Sequence, residues 1–149
     1  MAEYIARQTG ADLVRVRSRF PYNPISRVIV GVRRALSGTR DPVDPSQIDV
    51  SEYDCVVFGS PVWSGQPTPV INGAIANLKG CAGKDGVVFM TCCLTAGPAP
   101  EILRESLRKK EVRVKGSMVV HGSQREDYSY LDRIVRMIER PHYEKIPVN

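Results

Sequence analysis

Two short apolar runs constrain the fold of this chain more than any other feature. Residues 55–58 read Cys-Val-Val-Phe and are followed by Gly59-Ser60-Pro61, and residues 86–91 read Gly-Val-Val-Phe-Met-Thr. Strands that are apolar at successive positions, rather than at every second one, are typical of a parallel sheet covered by helices on both faces. The two runs therefore predict an α/β fold.

Helical patterns alternate with strand patterns along the rest of the chain. The predicted strands cover residues 12–17, 54–60, 86–91 and 112–121. The predicted helices cover residues 2–9, 24–37, a segment that opens at Thr68-Pro69, residues 98–110, and a segment with Ser129 and Asp132 as its capping pair. This alternation with short loops predicts a doubly wound parallel sheet with helices on both faces. A chain of 149 residues fits a single domain, 1–149, with an irregular tail over 141–149.

The second predicted helix carries one apolar stripe. Asn23 can cap it, Pro24 suits its first position and Gly38 follows its last residue. Its stripe is predicted to pack on the core and consists of Ile25, Val28, Ile29, Val32 and Leu36.

Composition excludes several classes of protein. Hydrophobic residues make up 42% of the chain and charged residues 25%, as in ordinary globular domains. No apolar run could span a bilayer, and no secretory signal opens the chain. The cysteines have no zinc-site spacing and are Cys55, Cys81, Cys92 and Cys93. We therefore expect reduced thiols and a cytoplasmic location.

Positive charge is concentrated at the front of the chain. Residues 1–40 hold eight arginines and two acidic residues, a local charge of +6, whereas the whole chain carries +5. This basic segment could contact nucleic acid, anionic lipid or an acidic partner. Alternatively, its arginines could lie on the solvent-exposed side of a helix and a strand. Aromatic residues do not interleave with the arginines, so we expect no nucleic-acid partner.

The loops that follow the two central strands are the places to seek a ligand, because doubly wound sheets bind ligands at the carboxyl ends of their strands. The segment 53–91 contains Tyr53-Asp54 and the run Gly59-Ser60-Pro61-Val62-Trp63-Ser64-Gly65, then Thr68-Pro69, Gly83-Lys84 and residues 87–91, and Gly97 follows it. Through these residues the chain resembles the flavodoxin-like family of FMN-binding proteins.

The resemblance implies that the FMN ring lies between two loops. The first would supply Ser60, Pro61, Val62, Trp63, Ser64 and Gly65, and the second Thr91, Cys92, Cys93 and Gly97. Trp63 stands where an aromatic side chain can stack on the ring, although it could also be a core or interface residue. Thiol redox chemistry at Cys92 or Cys93 and a catalytic His121 remain open alternatives, and no residue is assigned as catalytic.

The chain departs from the family at its start. The family opens with a central strand and a Ser/Thr-rich phosphate loop, and this sequence shows neither. We expect Met1 to be an internal start, with the first strand missing from this chain, and FMN binding to be weak or absent. The sequence pI of 9.2 also contrasts with the acidic flavodoxins, which favours an acidic redox partner protein or NAD(P)H as reductant.

Three functions follow from these observations. The first is FMN-dependent electron transfer, as a flavodoxin-like carrier or a small flavin reductase. The alternative is a non-enzymatic flavodoxin-fold binding module that has lost FMN binding. A basic domain that binds nucleic acid or a membrane surface is the third.

Overall fold

The computed structural model describes residues 1–124 and 127–139, with the backbone alone for residues 24–28 and Ser123. In this part of the chain the helices are α1 Ala2–Thr9, α2 Pro24–Leu36, α3 Pro69–Ala76, α4 Ala99–Arg108 and α5 Tyr128–Glu139. The strands are β1 Arg17–Ser18, β2 Val43–Asp44, β3 Ile48–Asp49, β4 Cys55–Trp63, β5 Gln66–Pro67, β6 Leu78–Lys79, β7 Asp85–Cys92 and β8 Arg113–His121.

The main sheet has four strands in the order β5-β4-β7-β8. Strands β4, β7 and β8 are parallel, and β5 pairs antiparallel with the end of β4. The register of the central pair runs from Cys55 opposite Asp85 to Pro61 opposite Thr91. Two-residue ladders join β1 to β2 and β3 to β6. The α/β prediction is confirmed, with a sheet that is mixed and mostly parallel.

Helices cover both faces of this sheet. On one face α3 and α4 bury an apolar cluster against β4 and β7, with Phe58, Val88, Met90, Leu103 and Leu107 among its members. On the other face α1 and α5 bury a second cluster against β7 and β8, with Ile5, Val87, Phe89, Val120 and Ile134 among its members. Strand β7 contributes side chains to both clusters and is buried between them, which accounts for its continuous apolar run.

Local sequence signals explain where several helices begin and end. The Thr68 hydroxyl accepts a hydrogen bond from the backbone N–H of Ile71 at 3.4 Å, and Pro69 occupies the first helical position of α3. Gly10 ends α1 with a φ of 69° in the left-handed region. Both boundaries were predicted and both are confirmed.

The predicted strand over residues 12–17 is wrong for most of its length. Only Arg17–Ser18 forms a strand, and it pairs antiparallel with Val43–Asp44. Leu13 and Val14 are exposed, and no described strand lies beside residues 11–16. Alternation of apolar and polar residues makes a strand only where a neighbour supplies the ladder, so this segment stays irregular.

Helix α2 forms as predicted, but it does not bury the predicted stripe. Ile29 and Leu36 are 61% and 58% exposed, while Gly31 and Ala35 face inward. The small residues allow α2 to lie close to the end of β4, and this contact sets the orientation of the helix. The side chains of Ile25 and Val28 lie outside the described residues.

The predicted capping pair of α5 is also wrong. Asp127, not Ser129, caps the helix, because its Oδ1 accepts the backbone N–H of Ser129 at 2.9 Å. Asp132 instead accepts a hydrogen bond of 2.6 Å from the Tyr4 hydroxyl, which ties α5 to α1.

Candidate functional site

Two loops meet at the carboxyl end of the sheet: the tryptophan loop, residues 60–65, and the cysteine loop, residues 91–97. Strand β4 runs beyond its predicted end to Trp63, turns at Ser64-Gly65 and returns as β5. Ser64 and Gly65 both have positive φ, 48° and 76°. A two-residue turn with two positive φ values matches the twist of a hairpin, so this loop is a tight, defined turn.

The two loops touch through their glycines. A Cβ placed on Gly97 would lie 3.0 Å from the Cα of Gly65, and Gly97 has a φ of 52°. A Cβ on Gly65 would lie 3.5 Å from the Cδ of Pro98. Glycine is therefore required at Gly97 both for its backbone conformation and for the close approach. The topology brings all ten predicted site residues to this one end of the sheet.

The predicted site residues differ in their exposure. Ser60 and Cys92 are buried, whereas the exposed members are Pro61, Ser64, Cys93 and Gly97, and the half-buried ones are Val62, Trp63, Gly65 and Thr91. The Ser60 hydroxyl donates to the carbonyl of Pro61 at 3.0 Å and lies 3.3 Å from the Thr68 hydroxyl. Ser60 thus holds the loop in shape, and the loops expose small or apolar side chains, among them Pro61, Ser64, Cys93 and Leu94.

Trp63, the one tryptophan of the chain, packs on helix α2. A Cβ on Gly31 would lie 2.7 Å from its Cζ3 atom. Its ring also meets the Tyr22 ring edge-on, with centroids 6.4 Å apart. Trp63 therefore packs between the tryptophan loop and α2 and keeps part of its indole exposed. A flat ligand could stack only on the part of the indole that α2 leaves uncovered.

Behind Trp63 lies a buried polar cluster that sequence reasoning missed. The Asp41 carboxylate accepts hydrogen bonds from the Ser18 and Tyr22 hydroxyls, at 2.6 and 3.1 Å, and from the Arg34 guanidinium at 2.9 Å. Burial, followed by the hydrogen bond to Asp41, raises the pKa of Tyr22. The hydrogen bond to Asp41 likewise raises the pKa of Arg34. The cluster fixes Tyr22, and through it the position of Trp63.

Cys92 and His121 lie side by side at the ends of β7 and β8. The Cys92 Sγ is 3.6 Å from the Nδ1 of His121. All four cysteines are free, and Cys93 is exposed while Cys92 is buried. Opposite exposure of the two neighbours is unfavourable for a bridge between them. In the described part of the chain, no cluster of three or more histidine, cysteine or acidic side chains could hold a metal.

A groove runs along β4 on the edge away from β7. We call it the β4 groove; it encloses about 440 Å³. Helix α1 and residues 11–14 line it, together with β4 and α3. At the carboxyl end of β4 the groove is lined by Ser60, Pro61, Trp63 and Thr68, so it extends to the tryptophan loop.

These residues fit one part of FMN better than the other. Exposed small or apolar loop side chains, close-packed glycines and a partly uncovered indole suit a flat heteroaromatic ring. For the phosphate, neither loop supplies a lysine or arginine side chain. Arg34, close to Trp63 through Tyr22, already binds Asp41.

Comparison with known proteins supports the fold alone. A scan of family models and a search of curated proteins find no match. The fold matches solved flavoprotein structures. Candidate flavoproteins from Bacteroides uniformis and Bacteroides eggerthii share 18% and 21% identity, at TM-scores of 0.70 and 0.69. The matches cover 88% of this chain and 86% of the first protein, and 93% of this chain and 88% of the second.

A third solved structure contains the cofactor itself. It is a flavoprotein in complex with FMN from Lactobacillus acidophilus, with 20% identity, a TM-score of 0.58 and coverage of 89% of both chains. Identities this low establish a shared architecture and leave the ligand of this chain to be argued from its own residues.

Within residues 1–124 and 127–139, no helix is long and apolar enough to cross a bilayer.

Proposed function

We propose that this chain is a flavodoxin-like protein that binds the isoalloxazine ring of FMN between the tryptophan and cysteine loops and takes part in electron transfer. The observation that carries the proposal is that the two loops, both at the carboxyl end of the sheet, touch at Gly65 and Gly97. This is where doubly wound sheets bind their ligands. The FMN-bound protein of the same architecture gives further support.

Electron transfer suits the residues better than acid–base catalysis. FMN, when bound, would supply the redox chemistry, and the protein would orient the ring and exclude water. Backbone groups of both loops would contact the polar edge of the ring, and the uncovered part of Trp63 would stack on it. The net charge of +5 favours an anionic reductant such as NAD(P)H, or an acidic redox partner protein.

Titration of the purified protein with FMN and with riboflavin, followed by flavin fluorescence, tests the proposal. We expect saturable quenching with a Kd between about 10 µM and 1 mM. Because the loops carry no cationic side chain for the phosphate, the two ligands should differ by less than about tenfold, or about 1.4 kcal/mol. Absence of saturable binding of either flavin would refute the proposal and favour the non-enzymatic binding module.

A pair of glycine substitutions links binding to the contact between the loops. Gly97→Ala introduces a Cβ 3.0 Å from Gly65, whereas Gly83→Ala imposes similar backbone strain where nothing lies within 4 Å. Each should cost about 1–2 kcal/mol of stability. Only Gly97→Ala should weaken riboflavin binding, by about tenfold or more. Equal binding by both variants would place the ring elsewhere.

A further inference from the structure

Helix α2 turns an apolar face outward. Ile29, Val30 and Leu36 are 61%, 37% and 58% exposed, whereas Gly31 and Ala35 are buried. At about 100° per residue, Ile29 and Leu36 lie within about 20° of each other, and Gly31 lies on the far side of the helix. A surface helix normally packs its aliphatic side on the core, and α2 does the reverse.

Arginines accompany this apolar face, and no acidic residue balances them. Residues 24–40 hold four arginines and no aspartate or glutamate. Arg33 lies on the outer face, one turn after Ile29, and Arg40 lies just beyond the end of the helix. Both are exposed, and neither forms an ion pair within the described residues. The outer face of α2 therefore attracts an anionic surface.

Both ends of the described chain lie on the other face of the sheet. Helix α2 contacts α3 and β5. Met1 packs in the second apolar cluster, to which α5, the last described helix, contributes Leu131 and Ile134. Residues 140–149, which follow α5, hold two basic residues and one glutamate, so their charge does not complement that of α2. Two copies of α2 placed face to face would likewise bring their arginines together, so charge favours a different, anionic occupant.

The composition of this face favours lipid over protein. Helix α2 contains no aromatic residue, and protein interfaces depend on aromatic anchors that fill pockets of the partner. Aliphatic side chains enter a bilayer without a matching shape, and arginines bind lipid phosphates while their stems lie along apolar surface. Ile29 and Leu36 are about 10 Å apart along the helix axis, so both can enter a bilayer only when α2 lies parallel to its surface.

We propose that α2 is an interfacial helix, through which this protein binds reversibly to an anionic lipid bilayer. Ile29, Val30 and Leu36 enter the bilayer, and Arg33 and Arg40 contact the lipid phosphates. A few aliphatic side chains and basic residues give weak binding that anionic lipid strengthens, rather than permanent insertion. The contact uses none of the ten predicted flavin-site residues and does not depend on the proposed function.

Co-sedimentation of the whole chain with lipid vesicles, in the absence of flavin, tests the proposal. One set of vesicles contains equal parts of phosphatidylglycerol and phosphatidylcholine, and the other contains phosphatidylcholine alone. We expect the anionic vesicles to bind the protein more tightly by about tenfold or more, and added salt to weaken this binding. Absence of binding to the anionic vesicles would refute the proposal and favour an acidic protein as the occupant of this face.

Two pairs of variants, all at exposed positions, assign the binding to α2. Ile29→Ser removes an isoleucine of α2, and Ile102→Ser removes one of α4. Arg33→Gln removes an arginine of α2, and Arg7→Gln removes one of α1, so both lower the net charge equally. Only the α2 variant of each pair should weaken binding to the anionic vesicles, by about fivefold or more. Equal losses from the two arginine variants, or no loss from Ile29→Ser, would refute the assignment and indicate attraction by net charge alone.

Discussion

Two aspartate–arginine pairs show how burial decides what a residue contributes. The Asp41 side chain is fully buried and satisfies Arg34, Tyr22 and Ser18, whereas the Asp44 side chain is 64% exposed and pairs with an exposed Arg19. Removing a buried carboxylate leaves its partners unsatisfied, but an exposed ion pair contributes little.

We therefore expect Asp41→Ala to lower the free energy of unfolding by about 2–4 kcal/mol. Asp44→Ala should lower it by less than about 1 kcal/mol. Urea unfolding followed by circular dichroism measures both. Comparable losses from the two substitutions would mean that the Asp41 cluster does not anchor the segment that holds Tyr22.

At the scale of elements, the contact between Gly31 of α2 and Trp63 of β4 means that a Gly31→Ala substitution has two opposing effects on stability. Gly31→Ala raises the helix propensity of α2 by about 1 kcal/mol. Its new Cβ would lie 2.7 Å from Trp63, and an overlap of this kind costs about 1–3 kcal/mol. We expect a net loss of stability and a shift in tryptophan emission, which reports Trp63 alone.

A double-mutant cycle separates the two effects. Phenylalanine lacks the far ring of the indole, so Gly31→Ala in a Trp63→Phe background should stabilise the protein by up to about 1 kcal/mol. If Gly31→Ala destabilises both backgrounds equally, the indole contact does not position the helix.

The stabilisation of helix α5 by its N-cap residue, Asp127, should decrease at low pH. The hydrogen bonds from the side chain and backbone of Ser129 hold the pKa of Asp127 below its usual range. A carboxylate with a lowered folded pKa stabilises the fold above its unfolded pKa, near about 3.9. This contribution is lost as the pH falls through the lower, folded value.

Asp127→Asn keeps the capping oxygen but does not titrate. The Tm of the native protein minus that of Asp127→Asn should therefore be larger at pH 6 than at pH 2. Asp54→Asn, at an exposed position before β4, serves as the control. A difference that does not change with pH would show that the charge of Asp127 plays no part in the cap.

The sequence predicted most elements, and it failed where tertiary contacts override local pattern. Strands β4 and β7 and helix α3 follow from apolar runs and a Thr68-Pro69 start, which are local signals. Alternation at residues 12–17 did not produce a strand, because pairing depends on a neighbour. The stripe of α2 gave the wrong face, because the contact of Gly31 with Trp63 sets the rotation of the helix.

For the whole molecule, topology made part of the candidate site predictable. Parallel neighbours bring their carboxyl ends together, so the loops after β4 and β7 were expected at one end of the sheet. That Gly65 and Gly97 touch follows from three-dimensional packing, and no spacing in the sequence indicates it. Asp41 lies in a stretch with the composition of a loop, so nothing in the sequence indicated that its side chain would be buried. Flavin binding itself stays a prediction.

The sheet ends differently on its two sides. Strand β8 carries Arg113 at an exposed position, and a charged side chain on an outer strand discourages pairing with another chain. Among the described residues, the main-chain groups of β4 that face the β4 groove over residues 55–61 have no ladder partner. Their N–H groups should therefore exchange with deuterium faster than those of β7, which is paired along both of its edges.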